Sequence, residues 1–196
     1  MSPLKKLLFA LALVFSSAAA IAPAAAAQGA NVIAIDEAKI LRDSKAGKDL
    51  QTKLNNIETQ MNNELNPTRT TLQTEGTTLD GKLQGKTREQ VAADAALVNE
   101  IKAYQTKANA FAASSNKYSK EFALTERAAL TEFNKILEPV MLEVINEKNA
   151  QVVVSKSQVI YTADSIDVTA SIISKLDARS PSVTVTRQHI PDAPAQ

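Results

Sequence analysis

The sequence has 196 residues, with 22 Lys and Arg against 21 Asp and Glu, no cysteine and no tryptophan. A net charge of +1 excludes the strong global field that draws basic proteins to nucleic acid. The lack of cysteine excludes a disulfide framework as well as thiolate chemistry and thiolate metal sites.

Residues 1–27 are predicted to be a secretory signal peptide. Lys5 and Lys6 precede the apolar run LLFALALVF, and small residues follow, with an expected cut after Ala27. The run is too short for a membrane span. Removing the two lysines from the 22 Lys and Arg leaves 20, against 21 Asp and Glu. The mature chain is therefore an exported, nearly neutral protein that begins at residue 28.

Residues 28–46 are predicted to contribute a strand and a short helix to a small head. The strand lies in NVIAID, where apolar residues do not alternate with polar ones, so both of its faces should be covered. The following EAKILRD favours a short helix, and Gly47 marks a joint.

Residues 47–124 are predicted to form a long antiparallel helical hairpin. Apolar residues recur at steps of three and four from Leu50 to Leu83, and again from Leu97 to Val144. This spacing is typical of a coiled coil, with two arms about 54 Å long. Pro67 and Pro139 lie within the helical patterns and are the expected kink sites, because each removes a backbone hydrogen bond.

The glycine-rich stretch TEGTTLDGKLQGKTREQ is predicted to be the tip of the hairpin, at about residues 76–87. A phosphate-binding loop would need GxxxxGK followed by Ser or Thr after a buried strand, but Leu83 stands at the hydroxyl position and a helix precedes. Gly81 and Gly85 can end a helix, and Thr87 with Gln90 forms a capping box.

Three basic residues lie close together at this tip: Lys82, Lys86 and Arg88. They predict an electrostatic contact, either with an acidic client or with an anionic membrane surface.

Residues 125–178 are predicted to return to the head as the end of the ascending helix, a β-hairpin and a last helix. The hairpin would pair residues 152–154 with residues 159–161, and Asp164 would cap the helix, with Asp167 in its first turn. Residues 179–196 contain three prolines and are predicted to be a disordered tail, with His189 exposed. No spacing brings a base to a nucleophile, so we expect neither an enzyme, nor a metal, nor a cofactor.

The order of elements and several strings resemble the Skp/OmpH family of periplasmic chaperones. VIAID opens the likeness, AYQTKANAFAASSNKYSKEF resembles the ascending arm, and AQVVVSKSQVIYTADSIDVTASIISKL is the most specific part. The resemblance implies an α+β, jellyfish-like homotrimer, with a β head forming a trimeric barrel and helical-hairpin tentacles around a cavity. It also implies a periplasmic holdase that keeps unfolded outer-membrane β-barrel proteins from aggregating without ATP.

Physical reasoning agrees with a trimer, because three short strands are too little sheet for one chain, whereas nine could close around a core. The predicted oligomerisation residues are the apolar ones of these strands: Val32, Ile33, Ile35, Val152, Val154, Val159 and Ile160.

Two other classes of protein stay open on the sequence. A structural periplasmic coiled-coil spacer or surface fibre would use the seam for length, and would not suppress aggregation. An amphipathic lipid carrier would need a broader and more apolar seam. Members of the resembled family are typically basic whereas this mature chain is nearly neutral, so only a weak contact with an anionic membrane is expected, and no nucleic acid.

Overall fold

A computed structural model describes residues 30–191, so the predicted signal peptide lies outside the described residues. Within them the chain forms two strands, five α-helices and two short 3₁₀ turns. In chain order these are β1 (Val32–Ile35), α1 (Glu37–Asp43), α2 (Lys45–Leu83), α3 (Arg88–Ala93), α4 (Ala95–Glu147), β2 (Val152–Ser155), 3₁₀ turns at Lys156–Gln158 and Asp164–Ile166, and α5 (Thr169–Arg179).

The sheet of the head has two parallel strands, in which Val32 lies opposite Val152 and Ile35 opposite Ser155. Parallel strands need a long crossover, and helices α1 to α4 supply it. The predicted β-hairpin is therefore wrong: residues 159–161 form no strand, and the chain after β2 enters a 3₁₀ turn instead.

Polar contacts explain why the chain does not fold back along β2. Lys156 Nζ donates to Asp167 Oδ2 at 2.7 Å, and Ser155 Oγ donates to Glu37 Oε2 at 2.6 Å. The backbone N–H of Val168 donates to the carbonyl of Ala34 at 3.0 Å. These bonds direct the chain towards α5. That helix begins at Thr169, whose N–H donates to Asp167 Oδ1 at 2.9 Å, so Asp164 is not its cap.

The joint between α1 and α2 lies at Ser44, and Gly47 is in the first turn of α2. Ser44 Oγ accepts a hydrogen bond from the N–H of Gly47 at 3.0 Å. A Cβ atom at Gly47 would lie 1.6 Å from the carbonyl oxygen of Leu41. Glycine is needed here because the two helices approach each other this closely.

Helices α2 and α4 form the predicted hairpin, and the tip follows the local sequence signals. Gly85 has a φ of 77°, and the capping box of Thr87 and Gln90 starts α3, as predicted. Gly81, in contrast, stays within α2. Asp94 begins α4 by accepting a hydrogen bond from the N–H of Leu97 at 3.0 Å. The short helix α3 between the arms was not predicted.

The hydrophobic core runs from the head into the first turns of the hairpin. It joins strand β1, helices α1 and α5, and the head-proximal parts of α2 and α4, with Ile40, Val140, Ile172 and Leu176 at its centre. Pro67 and Pro139 lie inside helices α2 and α4. Within residues 30–191, no helix is both long and apolar enough to span a bilayer.

The prediction of a disordered tail is wrong for residues 180–191, the part of the tail that the structure describes. Residues 180–191 have no regular secondary structure, yet they lie against the hairpin. Val183 is only 3% exposed and joins the hydrophobic core. The proline content suggested disorder. However, backbone N–H groups of this segment donate hydrogen bonds to side chains of α2 and α4, and composition alone does not indicate such distant partners.

Candidate functional site

An exposed apolar group lies on the head, at and after strand β2. We call it the head patch, and it consists of Val152, Val153, Val159, Ile160 and Tyr161. Ile160 is fully exposed and Tyr161 is 82% exposed. Among the described strands, β2 pairs only with β1. An open strand edge flanked by large apolar side chains is typical of a surface that another chain covers.

The predicted oligomerisation residues fall into three groups. Ile33 and Ile35 are buried in the core of their own chain, because β1 is covered on both faces. Val32 and Val154 are half-buried. The other three predicted residues belong to the head patch. The remaining two members, Val153 and Tyr161, lie in the same predicted strands but were not among the predicted oligomerisation residues.

The distal half of the hairpin has a partly open seam. Leu72 and Leu79 of α2 are buried, but the facing residues of α4 between Leu97 and Glu121 are at most half-buried. An open cavity of about 290 Å³ lies between the arms, lined by Thr74, Glu75, Thr78, Leu79, Glu100, Ala103, Tyr104 and Lys107. Two helices alone do not close this part of the seam.

At the tip, two of the three predicted basic residues have acidic partners. Lys82 Nζ lies 2.5 Å from Glu100 Oε2, and Lys86 Nζ lies 3.3 Å from Asp94 Oδ2. The N–H of Leu97, and after it Lys86, lower the pKa of Asp94. Arg88 is the first residue of α3 and is exposed. The three basic side chains lie in one region, but carboxylates neutralise part of the charge of Lys82 and Lys86.

A buried polar cluster lies where the tail crosses the hairpin, and sequence reasoning missed it. Glu121 of α4 is 1% exposed. Its Oε1 accepts a hydrogen bond from the N–H of Ile190 at 3.0 Å, and its Oε2 accepts one from Arg187 Nη2 at 3.2 Å. Arg187 also donates to Glu64 Oε1 at 2.8 Å and stacks on the ring of Tyr118, 4.8 Å from its centroid.

The electrostatics of this cluster favour the charged forms of Glu121 and Glu64. Burial by itself would raise the pKa of Glu121, but the N–H of Ile190 and the guanidinium of Arg187 outweigh it, so the pKa is lowered. The hydrogen bond from Arg187 lowers the pKa of Glu64, and Glu64 in turn raises the pKa of Tyr118. Two features of the sequence could have indicated this cluster: Glu121 precedes Phe122 of the predicted seam, and the tail contains Arg187.

Comparison with known proteins places the chain in a family. The family model described as outer membrane protein (OmpH-like) matches residues 31–176, so the chain belongs to the OmpH-like family. A solved structure from Caulobacter crescentus CB15, described as a candidate outer membrane chaperone (OmpH-like), is 26% identical, with a TM-score of 0.69. The match covers 82% of this chain and 92% of that one. None of the curated proteins compared is significantly similar to this chain.

Proposed function

We propose that the protein is a periplasmic holdase chaperone that binds unfolded outer-membrane β-barrel proteins and prevents their aggregation without ATP. The observation that carries the proposal is a long hairpin with a half-open seam, attached to a head whose apolar patch a single chain leaves uncovered. Such a molecule offers weak apolar contacts along its arms and an assembly surface at its base. The Caulobacter crescentus relative, described as a candidate chaperone, supports the same function.

We propose further that three copies assemble through the head patch. A sheet of two four-residue strands is too small to be stable alone, and the open edge of β2 provides a place for another chain to add. Covering the head patch would also remove Ile160 and Tyr161 from water. The arms, about 60 to 80 Å long from their 39 and 53 residues, would then surround a shared cavity.

The two prolines are proposed to let the arms bend around clients of different size. Pro67 is exposed within α2 and cannot donate a backbone hydrogen bond to the preceding turn. Replacing Pro67 with alanine should stiffen the arm and raise thermal stability while client capacity falls. Pro139 lies nearer the head, within α4 and next to the buried Val140.

The function is tested by diluting a urea-denatured outer-membrane β-barrel protein into buffer with the mature protein and no ATP, and following light scattering. We expect scattering to be suppressed at about one trimer per client. A spacer or fibre protein would leave the aggregation unchanged, and that result would reject the holdase function.

The trimer is tested separately by measuring molar mass for Ile160→Asp, which places a charge in the head patch. We expect this variant to lose the trimer, because burying an unpaired charge is costly. Leu124→Asp is the matched control, since Leu124 is also exposed but lies on α4 outside the patch. A trimer that survives Ile160→Asp would show that the head patch is not the interface.

A further inference from the structure

The tail lies on the hairpin as an extended segment with alternating sides. Val183 is buried, while Val185 and Arg187 are half-buried, and the intervening Thr184 and Thr186 are exposed. This is the period of two that a β-strand has when one face is covered. The segment crosses both helices of the hairpin, beginning near the head. It lies beyond residue 176, where the family match ends.

The hairpin holds the backbone of the tail with side chains. Near the head, Asp49 Oδ2 accepts from the N–H of Val183 at 2.9 Å, and Lys53 Nζ donates to the carbonyl of Val183 at 2.6 Å. Further along the groove, Thr125 Oγ1 accepts from the N–H of Gln188 at 2.9 Å.

Beyond Gln188, Glu121 Oε1 holds the N–H of Ile190. Every polypeptide offers such N–H and carbonyl groups, so these four bonds recognise extended backbone and not a particular sequence.

Two side-chain sites add selectivity to this backbone recognition. Val183 occupies an apolar site in the core, and four residues later the cation of Arg187 lies between Glu64 and Glu121, over the ring of Tyr118. The groove therefore fits an extended segment with an apolar residue at one position and an arginine four residues on. Strands of outer-membrane barrels alternate polar and apolar residues in the same way.

We propose that this groove, formed by Asp49, Lys53, Glu64, Tyr118, Glu121 and Thr125, is a docking site for an extended client segment, and that the tail is a resident occupant which the client displaces. The identity of the client rests on the proposed chaperone function, whereas the groove and its occupant do not. A tethered tail competes at an effective concentration in the millimolar range, so the groove is closed to weak ligands and opens to a client that can engage several arms together.

The test begins by releasing the tail in the full mature chain. In the double variant Val183→Asp and Arg187→Glu, one new carboxylate replaces an apolar side chain of the core and the other faces Glu64 and Glu121, so the tail should leave the groove. The matched control, Thr184→Asp with Thr186→Glu, introduces the same two carboxylate side chains on the exposed side of the same segment. Hydrogen exchange at the amides of Gln188 and Ile190 reports the release.

The probe is a fluorescent synthetic peptide with the sequence of residues 182–191, and its binding is measured by anisotropy. We expect the released variant to bind it at least tenfold more tightly than the wild type and the control do, because the competing tail is gone. Equal affinity for all three proteins would overturn the proposal. If the double variant loses helicity, Arg187→Gln replaces it, and it must show the same direction of change.

Unfolded β-barrel protein is then added to the complex of released variant and peptide. Displacement of the peptide supports the client docking site, and failure to displace it shows that the groove serves only the tail. Peptide binding needs no chaperone activity, so it can succeed when light scattering rejects the holdase function. Conversely, a protein that suppresses aggregation but never binds the peptide would reject the groove alone.

Discussion

The head-proximal and distal halves of the hairpin share one heptad pattern but are packed differently. Near the head, α2 and α4 contact β1, α5 and the tail, so that Leu54, Phe133 and Val140 are buried in a continuous core. Towards the tip, only the two arms face each other, and the seam residues of α4 from Ile101 to Tyr118 are at most half-buried. The regular run of buried seam residues on α4 begins at Glu121, where the tail and then the head cover the two arms.

The difference gives each half a separate expected role. The head-proximal half has the contacts needed for stability, and the distal half has the exposed apolar area needed for loose contacts with a client. Matched substitutions in the two halves test this difference in packing.

The largest expected effect is at Gly47, in the first turn of α2. Gly47→Ala would push Cβ against the carbonyl of Leu41 and should destabilise the protein by about 4 kcal/mol or more, or prevent folding. Gly81→Ala, near the tip, meets nothing within 4 Å and should gain about 1 kcal/mol through helix propensity. Urea unfolding followed by circular dichroism measures both. Equal effects at the two positions would contradict the comparison.

A second pair of substitutions removes one leucine from each half of α2. Leu54→Ala leaves a cavity in the core and should cost about 2 to 5 kcal/mol. Leu79→Ala acts where an open cavity already adjoins the side chain, and should cost about half as much. Thermal unfolding of both variants at the same protein concentration provides the measurement. A larger loss for Leu79→Ala would mean that the distal seam is the tighter one.

The third prediction concerns acid sensitivity of the head. Burial would raise the pKa of Asp167, but hydrogen bonds from Lys156 and Thr169 outweigh it and lower the pKa to about 2 from 3.8. A lowered folded-state pKa stabilises the protein above the unfolded value, and this contribution is lost as pH falls from about 4 to about 2. It amounts to about 2 kcal/mol.

Asp167→Asn should therefore lower the unfolding temperature at pH 7, and its difference from the wild type should shrink below pH 4. At the tip, Asp94→Asn retains a residue suited to capping a helix N-terminus and should change little at any pH. A pH-independent difference for Asp167→Asn would assign its effect to packing instead of charge.

The smallest effect is expected at the basic tip. Replacing Lys82, Lys86 and Arg88 together with glutamine should leave the molar mass in solution and the helicity unchanged, because exposed ion pairs contribute little to stability. It should slow client capture modestly at low salt and not at high salt, since steering is screened within about 8 Å at physiological ionic strength. Stopped-flow capture of a labelled unfolded barrel protein measures the rate. Equal rates at low salt would leave the tip with no role in capture.

The parts of the fold that depend on neighbours along the chain could be predicted from the sequence. The steps of three and four residues predicted the two arms, and Gly85 with the capping box of Thr87 and Gln90 predicted the tip. These signals are local: helix periodicity and capping involve residues no more than a few positions apart. The same patterns, with the strings at both ends, were enough for the family to be recognised.

Which distant segments contact each other became visible only in the folded chain. Strand β2 pairs with β1 across more than a hundred residues, and no local pattern distinguishes this parallel pair from the predicted hairpin. The sequence pattern placed Phe122 in the seam of α4, but the buried residue there is Glu121. A glutamate is expected to face water unless a distant partner compensates its burial. That partner is the tail. Its composition predicts disorder, and its order depends on Asp49, Thr125 and Glu121, which lie far away in the sequence and become neighbours only in the folded hairpin.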